Sequence, residues 1–302
     1  MTPVTVRVPA KVNLQLSVGP QRRDGYHDLV NVFHAVSLYD EVTATPAAGL
    51  TVEVEGDAAA AVPRDLANLA AKAAYALAEH AGIDPGVQLR IRKRIPVAGG
   101  MAGGSADAAA ALVACDALWN TGMRRQALIE LAASVGADVP FPLIGGTAVG
   151  FGRGDRLLPV LARGEFHWVF AIAEGGLSTP AVYGECDRLR SGRRVAAPTL
   201  DQALMAALRA GDPLALGRTL HNDLQPAALS LRPQLRLTLE TGAEHGAVGA
   251  LVCGSGPTCA FLLRSAEAAL DLAVTLTATG VCRDVKRAVG PAPGARLITS
   301  PR

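Results

Sequence analysis

The chain has 302 residues, half of them hydrophobic and 19% charged, and its 29 basic and 27 acidic side chains leave a formal charge of +2. That composition excludes a disordered chain, and the near balance of charge argues against the broad basic face that nucleic acid demands. At about 100–200 residues per domain, the length predicts two lobes, and we place their junction between residues 163 and 164, giving lobes 1–163 and 164–302.

The opening stretch MTPVTVRVPAKVNLQL alternates Val4, Val6 and Val8 around polar residues and has no uninterrupted apolar core. It predicts a first strand rather than a signal peptide, and hence a cytoplasmic protein. Residues 47–56 and 86–96 alternate apolar and polar side chains, as half-buried strands do. Between them Leu66, Leu69, Ala73 and Leu77 share one helical face and Gly82 closes it, which predicts an amphipathic helix. Helices are expected over 105–119 and 124–134, and a strand entering a turn over 145–155. A strand over 167–175 is followed by helical segments near 199–211, 213–221 and 231–245. The chain closes with a strand in 246–263, a helix over 265–280 and a strand over 281–290. Without a regular βαβ alternation or a repeat period, the fold class is α+β.

Residues 246–263 form the longest uncharged run, but Gly249, Gly254, Gly256 and Pro257 interrupt it, so no membrane partner is expected. The five cysteines, Cys115, Cys186, Cys253, Cys259 and Cys282, are odd in number and lack CxxC or Cys/His ligand spacing. They read as free buried thiols, not as a disulfide framework or a zinc site. The basic runs at 90–94 and 188–194 read as a solvated strand end and a solvated loop.

Residues 95–112 read IPVAGGMAGGSADAAAAL. The first N–H groups of a helix have no intrahelical partner and, with the helix dipole, attract anions wherever side chains leave the approach clear. Gly99, Gly100, Gly103 and Gly104 meet that condition, Ser105 offers a cap or a hydroxyl donor, and Ala108–Ala111 allow close packing behind the loop. The stretch therefore fits a phosphate cradle, although glycine content by itself also fits a flexible connection. It is neither a Walker loop nor a GxGxxG fingerprint.

PVAGGMAGGSADAAA resembles the central motif of the galactokinase, homoserine kinase, mevalonate kinase and phosphomevalonate kinase superfamily, the GHMP kinases. PAKVNLQLSVGPQRRDGYHDL at 9–29 and CGSGPTCAFLL at 253–263 are similar to the other two motifs of that superfamily, in the same order. Met101-Ala102 stands where Leu-Gly is usual, and Ala106-Asp107 where Ser-Asn is common. With GADVPF at 136–141 and HNDLQPAAL at 221–229, the likeness runs from residue 9 to about 263 and is strongest to a member that acts on a small-molecule cytidine diphosphate substrate.

The resemblance implies a two-domain fold, an N-terminal nucleotide-binding lobe and a C-terminal substrate lobe, with ATP and Mg²⁺ as cofactors. It implies that Lys11 and Asp138 form the catalytic pair, Asp138 taking or orienting the alcohol proton and Lys11 holding Asp138 ionised. It places Asn68, Lys93, Pro96, Met101, Ala102 and Ser105 with the glycines on the ATP side. Asn13, Thr179, Tyr183 and the Gly254-Ser255-Gly256 turn fall on the substrate side. Tyr26 and His27 suit a pyrimidine, one for stacking on the base and one for its edge, with Tyr183 on the opposite face. The protein ligand of the metal stays open between Ser105 and Asp107, and Asp107 is equally explained by the helix dipole. Asn222-Asp223 is equally explained as a helix cap. Two alternatives remain: another small-molecule kinase of the superfamily, such as a homoserine or mevalonate kinase, and a non-catalytic binding module of the same fold.

Overall fold

The computed structural model describes residues 2–56 and 58–298; the ends of the two expected lobes, Met1 and 299–302, lie outside the described residues. In chain order the N-terminal half holds β1 (Val4–Gln21), β2 (His27–Pro46), β3 (Thr51–Gly56), α1 (Leu69–Ala81), β4 (Val87–Lys93), α2 (Gly103–Trp119), α3 (Arg125–Val135), α4 (Pro140–Ile144), β5 (Thr147–Gly152) and β6 (Arg156–Pro159). Then follow β7 (Phe166–Ile172), α5 (Thr179–Arg190), α6 (Gln202–Ala210), α7 (Pro213–Thr219), β8 (His221–Asn222), α8 (Gln225–Leu231) and α9 (Leu235–Glu244). The last elements are β9 (Gly249–Val252), β10 (Cys259–Leu263), α10 (Ala266–Thr279), β11 (Asp284–Gly290) and β12 (Arg296–Leu297).

The first sheet runs β12-β1-β2-β4-β3, with β5 and then β6 continuing from the other end of β2, and β8 beside β1. Strand β2 is long enough to pair with β4 through Glu41–Pro46 and with β5 through Leu29–His34, and so links two arms of the sheet. The second sheet is antiparallel throughout, in the order β11-β7-β10-β9. Helix α2 is apolar nearly all round, with Ala106, Ala108–Ala111, Leu112 and Ala114 fully buried, so it runs inside the protein between α1 and the first sheet. Its alanines permit that close approach.

The expected junction at 163/164 falls between β6 and β7, ahead of the second sheet. One core cluster nevertheless spans it, joining Val8, Leu14 and Met101 to Phe166, Trp168 and Leu262, while β8 and β12 return to the first sheet from the C-terminal half. The mixed α+β class is the one expected. The run 246–263 proves to be two strands around a turn, and β2, α4, β6, α5 and α8 are elements that periodicity does not reveal. No helix among the described residues is long and apolar enough to cross a membrane. Cys115, Cys186, Cys253 and Cys259 are free buried thiols, and Cys282 is a half-buried one.

His34 on β2 is fully buried against Phe166, with Nδ1 2.8 Å from the Thr147 hydroxyl. Burial lowers its pKa to about 3. An unfolded histidine titrates near 6.5, so between these values the unfolded chain carries a proton that the native one lacks. Stability then declines as pH falls through that window, by up to about 1.4 kcal/mol per pH unit. Melting curves from pH 7 to 4 should show the decline and His34→Gln should flatten it; equal slopes would assign the acid sensitivity to another group.

Candidate active site

Lys11 and Asn13 lie two residues apart on β1 and so project from the same face of the strand. Both are buried. The Lys11 ammonium donates to Asn13 Oδ1 at 2.7 Å and to the Gly100 carbonyl at 2.8 Å, while Asn13 Nδ2 donates to Asn31 Oδ1 on β2 at 2.8 Å. A register shift between Asn13 and Gln15 then brings Leu16, two places beyond Leu14, onto the face toward the second core cluster. Such a bulge lets one strand serve both the site and two separate cores.

The glycine loop lies against this strand. The Lys11 amide donates to Met101 O at 3.3 Å, and Met101 itself is fully buried. The N-cap of α2, Ala102, adopts left-handed φ/ψ of 58° and 33° and offers no side-chain cap, so the helix N-terminus is free for an anion. Glycine carries no strain in that conformation, which gives Ala102 a cost that the usual residue there avoids. The four glycines have different tasks. Gly100 has φ +79°, and a Cβ on it would stand 1.9 Å from the Cys253 carbonyl oxygen. On Gly99 a Cβ would meet Thr258 Oγ1 at 2.8 Å and Pro96 Cβ at 3.0 Å, and on Gly103 it would meet Ile95 at 3.1 Å and the Lys93 ammonium at 3.2 Å. Of the four, only Gly104 is exposed, with its closest neighbour Leu69 Cδ1 at 3.7 Å. The expectation that all four clear a path for phosphate is therefore corrected: three permit internal packing and Gly104 keeps the approach open.

The third motif closes around the first two. From Gly254 a Cβ would meet Gly100 O at 3.1 Å, Lys11 Nζ at 3.3 Å and Asn13 Oδ1 at 3.4 Å. Asn222 fastens this turn, donating to Val252 O at 2.7 Å and Gly254 O at 2.8 Å, and its Oδ1 accepts the Leu224 amide. It is thus a clamp on two turns; the N-cap of α8 is Leu224, with no side-chain cap, so the helix-cap reading of Asn222-Asp223 is corrected. Ser255 Oγ lies 2.9 Å from Thr179 Oγ1 at the start of α5, and a Cβ on Gly256 would stand 2.8 Å from Val252.

Asp138 sits half-buried in the turn between α3 and α4. Burial lowers the Lys11 pKa, and the negative charge of Asp138 partly offsets this. Tyr183 is raised by burial and then by the same Asp138 charge. Asp138, Lys11 and Tyr183 therefore share one neighbourhood, although 127 and 45 positions of sequence separate the aspartate from the other two. No group of three or more His, Cys, Asp or Glu suited to a metal occurs among the described residues. The uncapped helix start and the open Gly104 fit a nucleotide triphosphate.

The pyrimidine residues are arranged differently from expectation. His27 is buried, its Nε2 2.9 Å from Asp187 Oδ1, and its ring packs on Tyr183 at a centroid distance of 5.2 Å. Tyr26 stands out at 58% exposure beside the Arg153 guanidinium, 5.9 Å from its ring. The aromatic pair in contact is thus His27–Tyr183 rather than Tyr26–Tyr183, and one of the two His27 ring nitrogens is already engaged. Asp187 is a partner that sequence reasoning missed.

Of the residues expected on the ATP side, Pro96 and Met101 are buried, and Asn68 and Lys93 give their polar groups to internal partners. Asn68 caps α1: its Oδ1 accepts the Ala70 amide at 2.8 Å and its Nδ2 donates to Pro63 O at 2.7 Å. The Lys93 ammonium is buried between Asp40 Oδ2 at 2.5 Å and Asp107 Oδ2 at 2.6 Å. Burial opposes its charge, but the two carboxylates outweigh that and raise its pKa. Burial, and then the nearby Asp40 carboxylate, raise Asp107 well above the usual carboxylate range against the pull of Lys93. Asp107 is an internal partner of Lys93, buried from solvent; Asp40 has no local sequence signal at all.

Comparison with known proteins identifies the family. The family description "GHMP kinases N terminal domain" matches residues 68–146 and "GHMP kinases C terminal" matches 204–281. A curated 4-diphosphocytidyl-2-C-methyl-D-erythritol kinase of Thermobifida fusca is 61% identical over 305 residues, covering 98% of this chain and 99% of the relative. One from Streptomyces avermitilis is 60% identical over 295 residues, with 98% and 99% covered. A crystal structure of 4-(cytidine 5'-diphospho)-2C-methyl-D-erythritol kinase superposes with a TM-score of 0.76 at 32% identity, covering 94% of this chain and 98% of that one. A homoserine kinase from Cytophaga hutchinsonii shares the fold at 18% identity, with a TM-score of 0.71 over 99% of this chain and 98% of that one. With three motifs meeting around Lys11 and full-length relatives of this identity, the chain belongs to the GHMP kinases, in the family of 4-diphosphocytidyl-2-C-methyl-D-erythritol kinases.

Proposed function

We propose that this chain transfers the γ-phosphoryl group of ATP to the 2-hydroxyl of 4-diphosphocytidyl-2-C-methyl-D-erythritol, in the non-mevalonate route to isoprenoid precursors. The observation that carries this reading is the meeting of Lys11, Asp138 and an uncapped helix N-terminus, in a chain 61% identical to a kinase of that name. The lobe 1–163 supplies the nucleotide contacts together with Lys11, Asn13, Asp138, Tyr26 and His27, the lobe 164–302 adds Thr179, Tyr183 and the 254–256 turn on the acceptor side, and the reaction runs in the cytoplasm.

Phosphoryl transfer passes through a loose transition state, so positioning and charge stabilisation outweigh covalent chemistry. The N–H groups at the start of α2 hold the phosphates, and Gly104 leaves them room. Ser105, at the helix start, would hold the Mg²⁺ that accompanies the nucleotide, which would neutralise phosphate charge; Asp107 is already engaged with Lys93. The substrate hydroxyl oxygen bonds to the γ-phosphorus as the bond to the β–γ bridging oxygen breaks. Asp138 accepts the hydroxyl proton late in that step, because an alcohol is far less acidic than a carboxylic acid. Lys11, its charge supported by Asp138, stabilises the negative charge of the transferring group. Thr179 and the 254–256 turn face the acceptor. At the cytidine end Tyr26 offers an exposed ring for stacking, and His27, fixed by Asp187, backs the Tyr183 wall.

A panel of ATP-consumption assays with the cytidine substrate, its uridine analogue, homoserine and mevalonate tests this reading. Cytosine and uracil reverse donor and acceptor at two ring positions, and an unpaired buried group costs about 1–3 kcal/mol. The cytidine substrate should therefore exceed the uridine one by roughly ten- to a hundredfold in kcat/KM, with neither homoserine nor mevalonate turned over. Turnover of homoserine or mevalonate, or equal use of cytidine and uridine, would overturn the assignment.

A further inference from the structure

We propose that the buried Asp40–Lys93–Asp107 cluster is the positioning element of the phosphate cradle, setting the ATP affinity of the α2 N-terminus without touching the nucleotide. The inference rests on the cradle reading above and goes beyond it by naming what holds the cradle in place.

The cluster joins three elements at one point. Asp40 comes from β2, Lys93 from the last position of β4 and Asp107 from the second turn of α2. Asp40 Oδ1 also accepts the Arg94 amide at 2.5 Å and the Ile95 amide at 2.9 Å, so it fixes the chain where it leaves β4 for the glycine loop. The ammonium lies immediately beneath the first residue of α2, since a Cβ on Gly103 would stand 3.2 Å from Lys93 Nζ. Lys93 and Asp107 side chains are 2% and 3% exposed, which leaves neither free to bind phosphate.

A helix N-terminus binds an anion only when its N–H groups point at it. The α2 start has no capping side chain and a left-handed N-cap residue, so its own turn does little to fix its direction. The tie from Asp107 through Lys93 to Asp40 fixes that direction from behind, and with it the path of 94–102. Displacing reacting groups by about 1 Å can cost on the order of a hundredfold. Lys93 and Asp107 are thus positioning residues that act through α2, and loosening them should weaken ATP and spare the alcohol substrate.

ATP binding by calorimetry and KM for both substrates would be measured on the full chain, below its melting temperature, for wild type and for Asp107→Asn, Asp107→Ala and Gly103→Ala. Asp107→Asn keeps an acceptor for Lys93 and should bind ATP within about threefold of wild type. Asp107→Ala should weaken ATP about tenfold or more, with the KM of the alcohol substrate within about twofold. Gly103→Ala should do the same, because its methyl points inward at Lys93 and Ile95; it alters no charge and decides the matter where Asp107→Ala does not fold. Wild-type ATP affinity in a folded Asp107→Ala or Gly103→Ala protein would overturn the inference, as would equal losses for both substrates or an Asp107→Asn defect as large as that of Asp107→Ala. Failure of the wild-type chain to bind ATP would instead remove the cradle reading itself.

Discussion

Asp138→Asn is expected to lower kcat by about 10²–10⁴ while ATP binding and the melting temperature stay close to wild type. Asparagine matches aspartate in shape, and Asp138 is half-buried in the turn between α3 and α4, so the substitution leaves no void. What disappears is the acceptor for the hydroxyl proton and the negative charge beside Lys11. Burial already lowers the Lys11 pKa and Asp138 partly restores it. The variant should therefore lower it further, and its residual activity should fall away on the alkaline side at a lower pH than that of wild type. Steady-state kinetics across pH, with calorimetry for ATP and a thermal melt, reads all four effects. A variant with near wild-type kcat would remove Asp138 from the chemistry. A variant with unaltered alkaline behaviour would show that its charge does not act on Lys11.

Gly100→Ala should be the most damaging single methyl in the glycine loop, costing about 3 kcal/mol of stability and at least a hundredfold in kcat/KM. Two independent causes act at this position. The φ of +79° is unfavourable for alanine, by roughly 1–2 kcal/mol. The new Cβ would also stand 1.9 Å from the Cys253 carbonyl and 3.0 Å from the Gly256 amide, both backbone atoms that no side-chain rotation can clear; overpacking of this kind costs about 1–3 kcal/mol. Relief requires the 96–102 loop to separate from the 253–256 turn. The Gly100 carbonyl that holds Lys11 Nζ at 2.8 Å would move with it, so stability and catalysis fall together. Gly104→Ala is the contrast, since a Cβ there meets only Leu69 at 3.7 Å. It should melt like wild type and weaken ATP selectively. If thermal melts ranked the two variants in the opposite order, the division of labour among the glycines would be wrong.

What the sequence determined by itself was local. Alternation over 47–56 and 86–96, the spacing from Leu69 to Gly82 and the glycine-to-alanine change at 95–112 each follow from a few neighbouring residues, and each corresponds to an element, although Leu66, expected on the same helical face, precedes α1 and is exposed. The ordered motifs also placed the chain among the GHMP kinases, because residues that must meet around one phosphoryl group leave their pattern at 9–29, 96–110 and 253–263. Strand β2 left no such trace: it is buried on both faces along much of its length, so its sequence lacks a clean two-residue alternation. Helix α5 carries a mostly polar sequence and buries only Val182 and Cys186, too little for a helical face to stand out.

Tertiary structure alone decided which polar groups are spent on internal partners. Asn68 and Lys93 have the residue types of nucleotide ligands, yet packing gives Asn68 a helix to cap and gives Lys93 two carboxylates from 53 and 14 positions away. His27 finds Asp187 across 160 positions, and its ring meets Tyr183 in place of Tyr26. A buried charge or donor must be paired, and its partner comes from whichever element the fold brings alongside. Sequence spacing does not contain that information, whereas the turn, cap and strand preferences of the motifs act within a few residues of the chain.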